Sequence, residues 1–155
     1  LLQTMRDSMD QLKLSVDALS LPHGDIGALL ASLRYRLEPR LRSAGIELQW
    51  AVEPLPILPE IDGHRMRQLQ FVLYEALSNV LQHAGADTVR IEAESVDGGI
   101  RLRIIDNGRG FPADVVPRNG LRSMRERCAA IGAQLEHRSE FGRTELEIQI
   151  GRGRA

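Results

Sequence analysis

Between Asp62 and Ala84 apolar side chains recur at helical spacing, and directly after Gly85 the repeat shortens to two. Met66, Leu69, Val72, Leu73, Ala76, Leu77, Val80 and Leu81 form one stripe along an α-helix. Thr88 to Val96 and Ile100 to Ile105 alternate as strands, and Asp97-Gly98-Gly99 between them is a hairpin signal. A helix running into a hairpin predicts the α+β class: a mixed or antiparallel sheet with helices on one face. Two further strands, Ala133–Ser139 and Thr144–Ile150, joined near Gly142, follow a helix from about Gly120 to Ile131.

The N-terminal part is helical as well. Leu2, Met5, Met9, Leu12, Val16 and Leu19 are spaced 3, 4, 3, 4, 3, which is a heptad seam. It reads either as an amphipathic helix packed on its own domain or as the end of a longer dimerising helix. The pattern is already under way at Leu1, which favours the second and predicts a piece of a longer protein. Leu21-Pro22-His23-Gly24 ends that helix. Asp25 then caps a second, carrying Ile26, Leu29, Leu30, Leu33, Leu37 and Leu41, which Pro39 should kink or shorten and Gly45 should close. Ile46 to Trp50 alternates as a strand, and Pro54, Pro56 and Pro59 stiffen the connection after it.

At 155 residues, the chain has the size of one domain plus at most a short appendage. Basic and acidic groups number 20 and 21, a balance that does not point to nucleic acid as a partner. Cys128 is the only cysteine, which excludes a disulfide framework and Cys-based zinc sites. The sequence has no apolar run of membrane-spanning length and no signal segment, so no membrane contact by this stretch and a cytoplasmic location are expected, with membrane anchoring of the parent protein left open.

Chemistry concentrates in three segments. Glu75, Asn79 and His83 fall at i, i+4 and i+8, on one helical face beside the apolar stripe. A carboxylate can take a proton, a carboxamide oxygen can bind a hard cation and an imidazole can meet phosphate. Asp106-Asn107-Gly108-Arg109-Gly110-Phe111 follows a strand directly, and its glycines let backbone approach a ligand. It is neither a P-loop nor a dinucleotide fingerprint. Asn119-Gly120-Leu121 opens a helix, whose free amides favour anions. The four histidines and Cys128 show no metal-ligand spacing, and there is no Gly-x-Ser-x-Gly elbow.

Taken in order, these segments resemble the sensor histidine kinases of two-component systems. Glu75-Ala76-Leu77-Ser78-Asn79-Val80-Leu81-Gln82-His83-Ala84 resembles their N box, and Asp106 to Phe111 their first glycine box. Gly120-Leu121-Arg122-Ser123-Met124-Arg125-Glu126-Arg127, with Ile131-Gly132-Ala133, is similar to the Gly-Leu-x-x-Met-x-Glu-Arg segment of the NarL-partner subfamily. Gly142-Arg143-Thr144 stands where a Gly-x-Gly-Thr box belongs. The resemblance covers about residues 62 to 150.

That resemblance implies a Bergerat-type two-layer sandwich of the GHKL superfamily, binding ATP and Mg²⁺ and transferring the γ-phosphoryl to a histidine. It divides the chain into 1–21, the C-terminal part of a dimerisation helix; 22–61, a linker helix and first strand; 62–150, the ATP-binding core; and 151–155, a disordered tail. By similarity Glu75 is the catalytic base or polariser and Asn79 holds Mg²⁺. His83 lies near the phosphates, Asp106 binds the adenine amino group and Thr144 supports it through water. Gly108, Gly110 and Gly120 flank a mobile lid, Phe111 to Asn119, with Phe111 and Leu121 in the nucleotide site. The implied partners are a NarL-type response regulator, the acceptor-histidine dimerisation domain of the same protein, and a second copy in a homodimer. The expected acceptor histidine is absent, because no His-Asp box precedes the first helix and His23 sits in a Pro-Gly linker; the fragment should bind ATP without autophosphorylating. Arg143 replaces the glycine before the box threonine and Gln82 stands where a lysine is frequent, both expected to weaken nucleotide binding. Two alternatives stay open: a degenerate interaction module, and a GHKL ATP hydrolase or serine kinase.

Overall fold

The computed structural model describes residues 2–83, 85–108, 118–140 and 142–151, apart from the side chains of residues 2–4, 7, 83, 118 and 119. The elements are α1 (Leu2–Ser20), α2 (Ile26–Ser43), β1 (Glu47–Val52), α3 (Gly63–His83), β2 (Thr88–Val96), β3 (Gly99–Asp106), α4 (Arg118–Ala130), β4 (Gln134–Glu140) and β5 (Arg143–Ile150). The strands form one five-stranded sheet in the order β1-β2-β3-β5-β4. Only β1 and β2 run parallel; the other three pairs are antiparallel, so the sheet is mixed and the fold α+β.

The β2–β3 hairpin turns where its sequence signal stands. Asp97 and Gly98 take φ of 53° and 81°, the two left-handed residues of a two-residue turn, and Val96 pairs with Gly99. Alternation along β2 and β3 turns Val89, Ile91, Ala93, Ile100, Leu102 and Ile104 into the core. The opposite face of the sheet is polar. Arg103 bridges Glu92 and Glu147 on the neighbouring strands, Arg101 pairs with Glu94, and Arg138 and Arg143 both reach Glu145. Cross-strand pairs of this kind are each worth only about 0.2–1 kcal/mol, so the buried face carries most of the sheet's stability.

Helix α3 starts where Asp62 caps it, with Oδ1 accepting from the Arg65 amide at 2.9 Å. Its stripe is buried from Met66 to Val80. Helix α2 is capped by Asp25, which accepts from the Ala28 amide at 3.0 Å. Pro39 does not shorten α2, which continues to Ser43. Both Pro39 and Tyr35, whose carbonyl loses its donor, are exposed, so water can take that carbonyl. The proline costs about 3 kcal/mol, whereas each large side chain buried along the helix returns roughly 1.5–3 kcal/mol. Six such side chains, Ile26 to Leu41, outweigh it.

Helix α1 docks on α3 and α2, but not with its heptad seam. Leu14 and Ala18 are buried, while Met5, Met9, Leu12, Val16 and Leu19 are 55–66% exposed. The docked face is largely polar. Gln70 of α3, 1% exposed, donates to Gln11 at 2.9 Å and accepts from Ser15 at 3.4 Å. Arg40 of α2 donates to Asp10 at 2.9 Å, and Arg36 and Ser32 both donate to Asp17 at 3.2 Å. These long-range partners select the docked face and leave the more apolar seam on the outside. None of the described helices is long and apolar enough to cross a membrane.

Candidate functional site

The end of β3 and the start of β5 meet at one end of the sheet. Asp106 closes β3 and pairs in register with Val89 on one side and Thr144 on the other. Period-two alternation puts all three on the helix-covered face, and Asp106 is 6% exposed there. Its Oδ1 accepts from the Gly108 amide at 2.9 Å; its Oδ2 accepts no hydrogen bond among the described residues. Burial pushes the Asp106 carboxyl above the ordinary aspartate range, against the pull of the Gly108 amide and of His137. The turn itself is braced: Asn107 Oδ1 accepts from the amides of Asp87 and Thr88 at 2.8 and 3.0 Å.

Thr144 is held by a neighbour that sequence reasoning missed. Its Oγ1 lies 3.2 Å from Ser139 Oγ across the β4–β5 pair. His137, two residues earlier on the same face of β4, is half-buried. Burial first, and then the charge of Arg125, lowers its pKa, while Asp106 pulls the other way. Neither residue falls in a recognisable motif. The available signal is the strand period, which puts Leu135, His137 and Ser139 on one face, but the β4–β5 register is needed to bring that face to Thr144.

The side chain of Arg143, the residue that stands in place of a glycine before Thr144, lies on the face of the sheet opposite Thr144. Its guanidinium pairs with Glu145 at 3.0 Å on the polar face of the sheet, opposite Thr144. Its φ is not in the left-handed region, so a non-glycine residue fits without strain. Gln82 is exposed and donates to Ser78 at 3.1 Å.

Glu75 and Asn79 are half-buried on α3, one turn apart. Helix α3 ends at His83, and β2 begins at Thr88, next to the residue that pairs with Asp106. The last turns of α3 therefore stand at the Asp106 end of the sheet. Helix α4 begins at Arg118, two residues before the expected start, with Gly120 in its first turn and Leu121 packed against the core. Gly110, Phe111 and the lid from Phe111 to Asn119 lie outside the described residues, except for the backbone of Arg118 and Asn119; so do the His83 side chain and the tail beyond Gly151.

Chemically, the end of the sheet offers a buried acceptor, two hydroxyls and a histidine, and the helix beside it offers a carboxylate and a carboxamide. The described residues hold no group of three His, Cys, Asp or Glu that could hold a metal ion. Burial pushes the Cys128 thiol up to about 11, leaving it protonated and unreactive at neutral pH.

The family model for histidine kinase-, DNA gyrase B- and HSP90-like ATPases matches residues 65–152. The sensor histidine kinase LiaS of Bacillus subtilis is 35% identical over 108 residues, covering 68% of this chain and 29% of that protein. LnrJ, another Bacillus subtilis sensor histidine kinase, is 30% identical over 135 residues, covering 87% of this chain and 32% of that one. The chain thus spans about three tenths of the length of these curated relatives. Among solved structures, the histidine kinase domain of the Erythrobacter litoralis EL346 blue-light activated kinase is alike in fold. Its TM-score is 0.72 at 21% identity, over 94% of this chain and 73% of that one. Full-length ShkA, solved in complex with AMPPNP, gives a TM-score of 0.68 at 27% identity, over 93% of this chain and 36% of that one.

Proposed function

The chain belongs to the histidine kinase-, DNA gyrase B- and HSP90-like ATPase family, and from that premise we propose that it is the catalytic ATP-binding domain of a two-component sensor kinase. It binds Mg-ATP and transfers the γ-phosphoryl to a histidine on a dimerisation helix, for relay to a response regulator. The observation that carries this reading is the buried Asp106, opposite Thr144, at the sheet end where the Glu75–Asn79 face of α3 also terminates.

In this reading the free Oδ2 of Asp106 accepts the adenine amino group, while the Thr144–Ser139 hydroxyl pair holds a bridging water. The Asn79 carboxamide oxygen, a hard donor, is the group of this chain that would hold Mg²⁺. Once bound, the ion would neutralise charge on the triphosphate. His83 stands near the phosphates, and Gly108, Gly110 and Gly120 flank a lid from Phe111 to Asn119, with Phe111 and Leu121 beside the nucleotide. Glu75 takes or polarises the acceptor imidazole's proton. The imidazole nitrogen forms a P–N bond as the bond from phosphorus to the β–γ bridging oxygen breaks, and ADP leaves with that electron pair.

The exposed seam from Met5 to Leu19 supports α1 as the end of a dimerisation helix, paired with a second copy. The segment from Gly120 to Arg127 supports a NarL-type regulator as the recipient of the phosphoryl group. The Arg143 side chain is turned to the opposite face, so the alternative reading of a degenerate interaction module rests on the exposed heptad seam.

The test is phosphotransfer to a separately supplied acceptor-histidine domain, with the label assigned to histidine or serine. Serine labelling would point to the other kinase class. Glu75→Gln is expected to lower the transfer rate by about 10²–10⁴-fold with ATP affinity nearly unchanged. A parallel collapse of binding would make Glu75 structural. Asn79→Ala should remove the metal dependence of binding, read by titrating ATP with and without Mg²⁺; an unchanged dependence would place the ion elsewhere.

A further inference from the structure

Helix α4 is tied to α3 by one unusual contact. The Arg127 guanidinium carbon lies 3.6 Å from the centroid of the Phe71 ring, and Nη1 donates to Gln68 Oε1 at 2.8 Å. Its Nε is buried and has no hydrogen-bond partner among the described residues. An arginine held merely for solubility keeps its donors in water; this one gives up a donor in exchange for stacking on the ring.

The location of that contact gives it a role. Gln68, Phe71, Glu75 and Asn79 follow one another at i+3, i+4 and i+4, so they lie on a single stripe of α3. Connectivity makes the two helices antiparallel. Helix α3 runs toward the Asp106 end of the sheet, whereas α4 starts at that end and runs toward Gln134, which pairs with Gln149 at the other. From Arg127 back to Gly120 is seven residues, about 10 Å along a helix, and from Phe71 to Asn79 is eight, about 12 Å. The Arg127–Phe71 rung therefore sets how the first turn of α4 stands beside Asn79. The two helices carry different parts of the proposed triphosphate site, and Arg127 is remote from both.

We propose that Arg127 is a positioning residue that fixes the spacing between the α4 amide end and the Glu75–Asn79 face, and so the affinity for the triphosphate but not for the nucleoside. This rests on the nucleotide reading of the site. Lysine does not replace it, since an ammonium has no plane to stack on Phe71 and no second nitrogen for Gln68.

The test compares the full chain with Arg127→Ala, Arg127→Lys and Phe71→Leu, binding Mg-ATP by calorimetry and adenosine by NMR titration. The expected result is about a 30-fold loss of ATP affinity in each variant, with adenosine unchanged, the scale of one desolvated cation–π contact. The Arg127→Ala, Phe71→Leu double variant should lose no more than the worse single. Equal losses for ATP and adenosine, or unchanged ATP affinity with a lowered Tm, would overturn the positioning role while leaving the nucleotide site in place. Should Arg127→Ala fail to fold, Phe71→Leu carries the same comparison. A wild-type chain that binds neither ligand would remove the nucleotide reading and this inference with it.

Discussion

Asp106→Ala is expected to weaken Mg-ATP binding by about 30- to 150-fold, or roughly 2–3 kcal/mol, measured by calorimetry on the folded chain. The carboxylate is buried at the sheet end, so water does not replace it cheaply as an acceptor. Asp106→Asn is the sharper probe. It keeps the volume, but its single carboxamide oxygen can either keep the bond from Gly108 or accept from the adenine amino group, and keeping the first turns an NH2 donor toward the adenine donor, so affinity should fall about as far as in Asp106→Ala. Equal affinity in wild type and Asp106→Ala would remove the adenine assignment. Acid gives the same test without a mutation. Binding needs the ionised carboxylate, and burial raises the Asp106 pKa, so affinity should begin to fall at a higher pH than an ordinary aspartate, about 3.9, would allow. The stability of the free protein has the opposite sign. A carboxyl whose folded pKa is raised contributes stability below its unfolded pKa and loses it as pH rises through the folded one. Acid therefore relieves the buried carboxylate while it releases the ligand, and a decline in binding without unfolding is the expected record.

The largest effect on stability is expected at Gly24. It has a φ of +77°, and a Cβ there would stand 2.0 Å from the Leu58 carbonyl oxygen, which is backbone and cannot swing aside. Leu58 in turn donates its amide to the Gly24 carbonyl at 3.1 Å, fastening the α1–α2 linker to the proline-rich stretch before α3. Gly45 has nearly the same φ, +78°, with nothing within 4 Å of its would-be Cβ. Gly45→Ala should cost about 1–2 kcal/mol for the left-handed backbone alone. Gly24→Ala adds overpacking to the same penalty, about 3–4 kcal/mol in all, and lowers Tm by roughly 6–16 °C for a chain of this size. Equal Tm losses in the two variants would mean that the Leu58 segment shifts and the linker is not anchored there.

Much of the fold was legible one element at a time. The stripe of α3, the Asp25 and Asp62 caps and the Asp97-Gly98 turn are each decided by residues within a few positions of one another, and each stands where its local chemistry puts it. Glu75 and Asn79 share a face because helical spacing alone dictates it. Pro39 does not end α2 because the rule against proline is local, while the six buried side chains that outweigh its cost find their partners across the core. His137 and Ser139 were passed over because nothing in their own segment marks them; the pairing of β4 with β5 does.

Helix α1 separates the two kinds of information most clearly. Apolar spacing by itself determined that residues 2–20 are helical and that a sticky seam runs along them. Which face meets the domain was settled by groups far away in the chain. Gln70 and Gln11 are 59 positions apart, Arg40 and Asp10 are 30 apart, and each buried polar group must find a partner or lose the water it gave up. Local sequence encodes periodicity because neighbouring residues share one backbone. Choosing between faces depends on contacts that exist only after the chain has closed on itself.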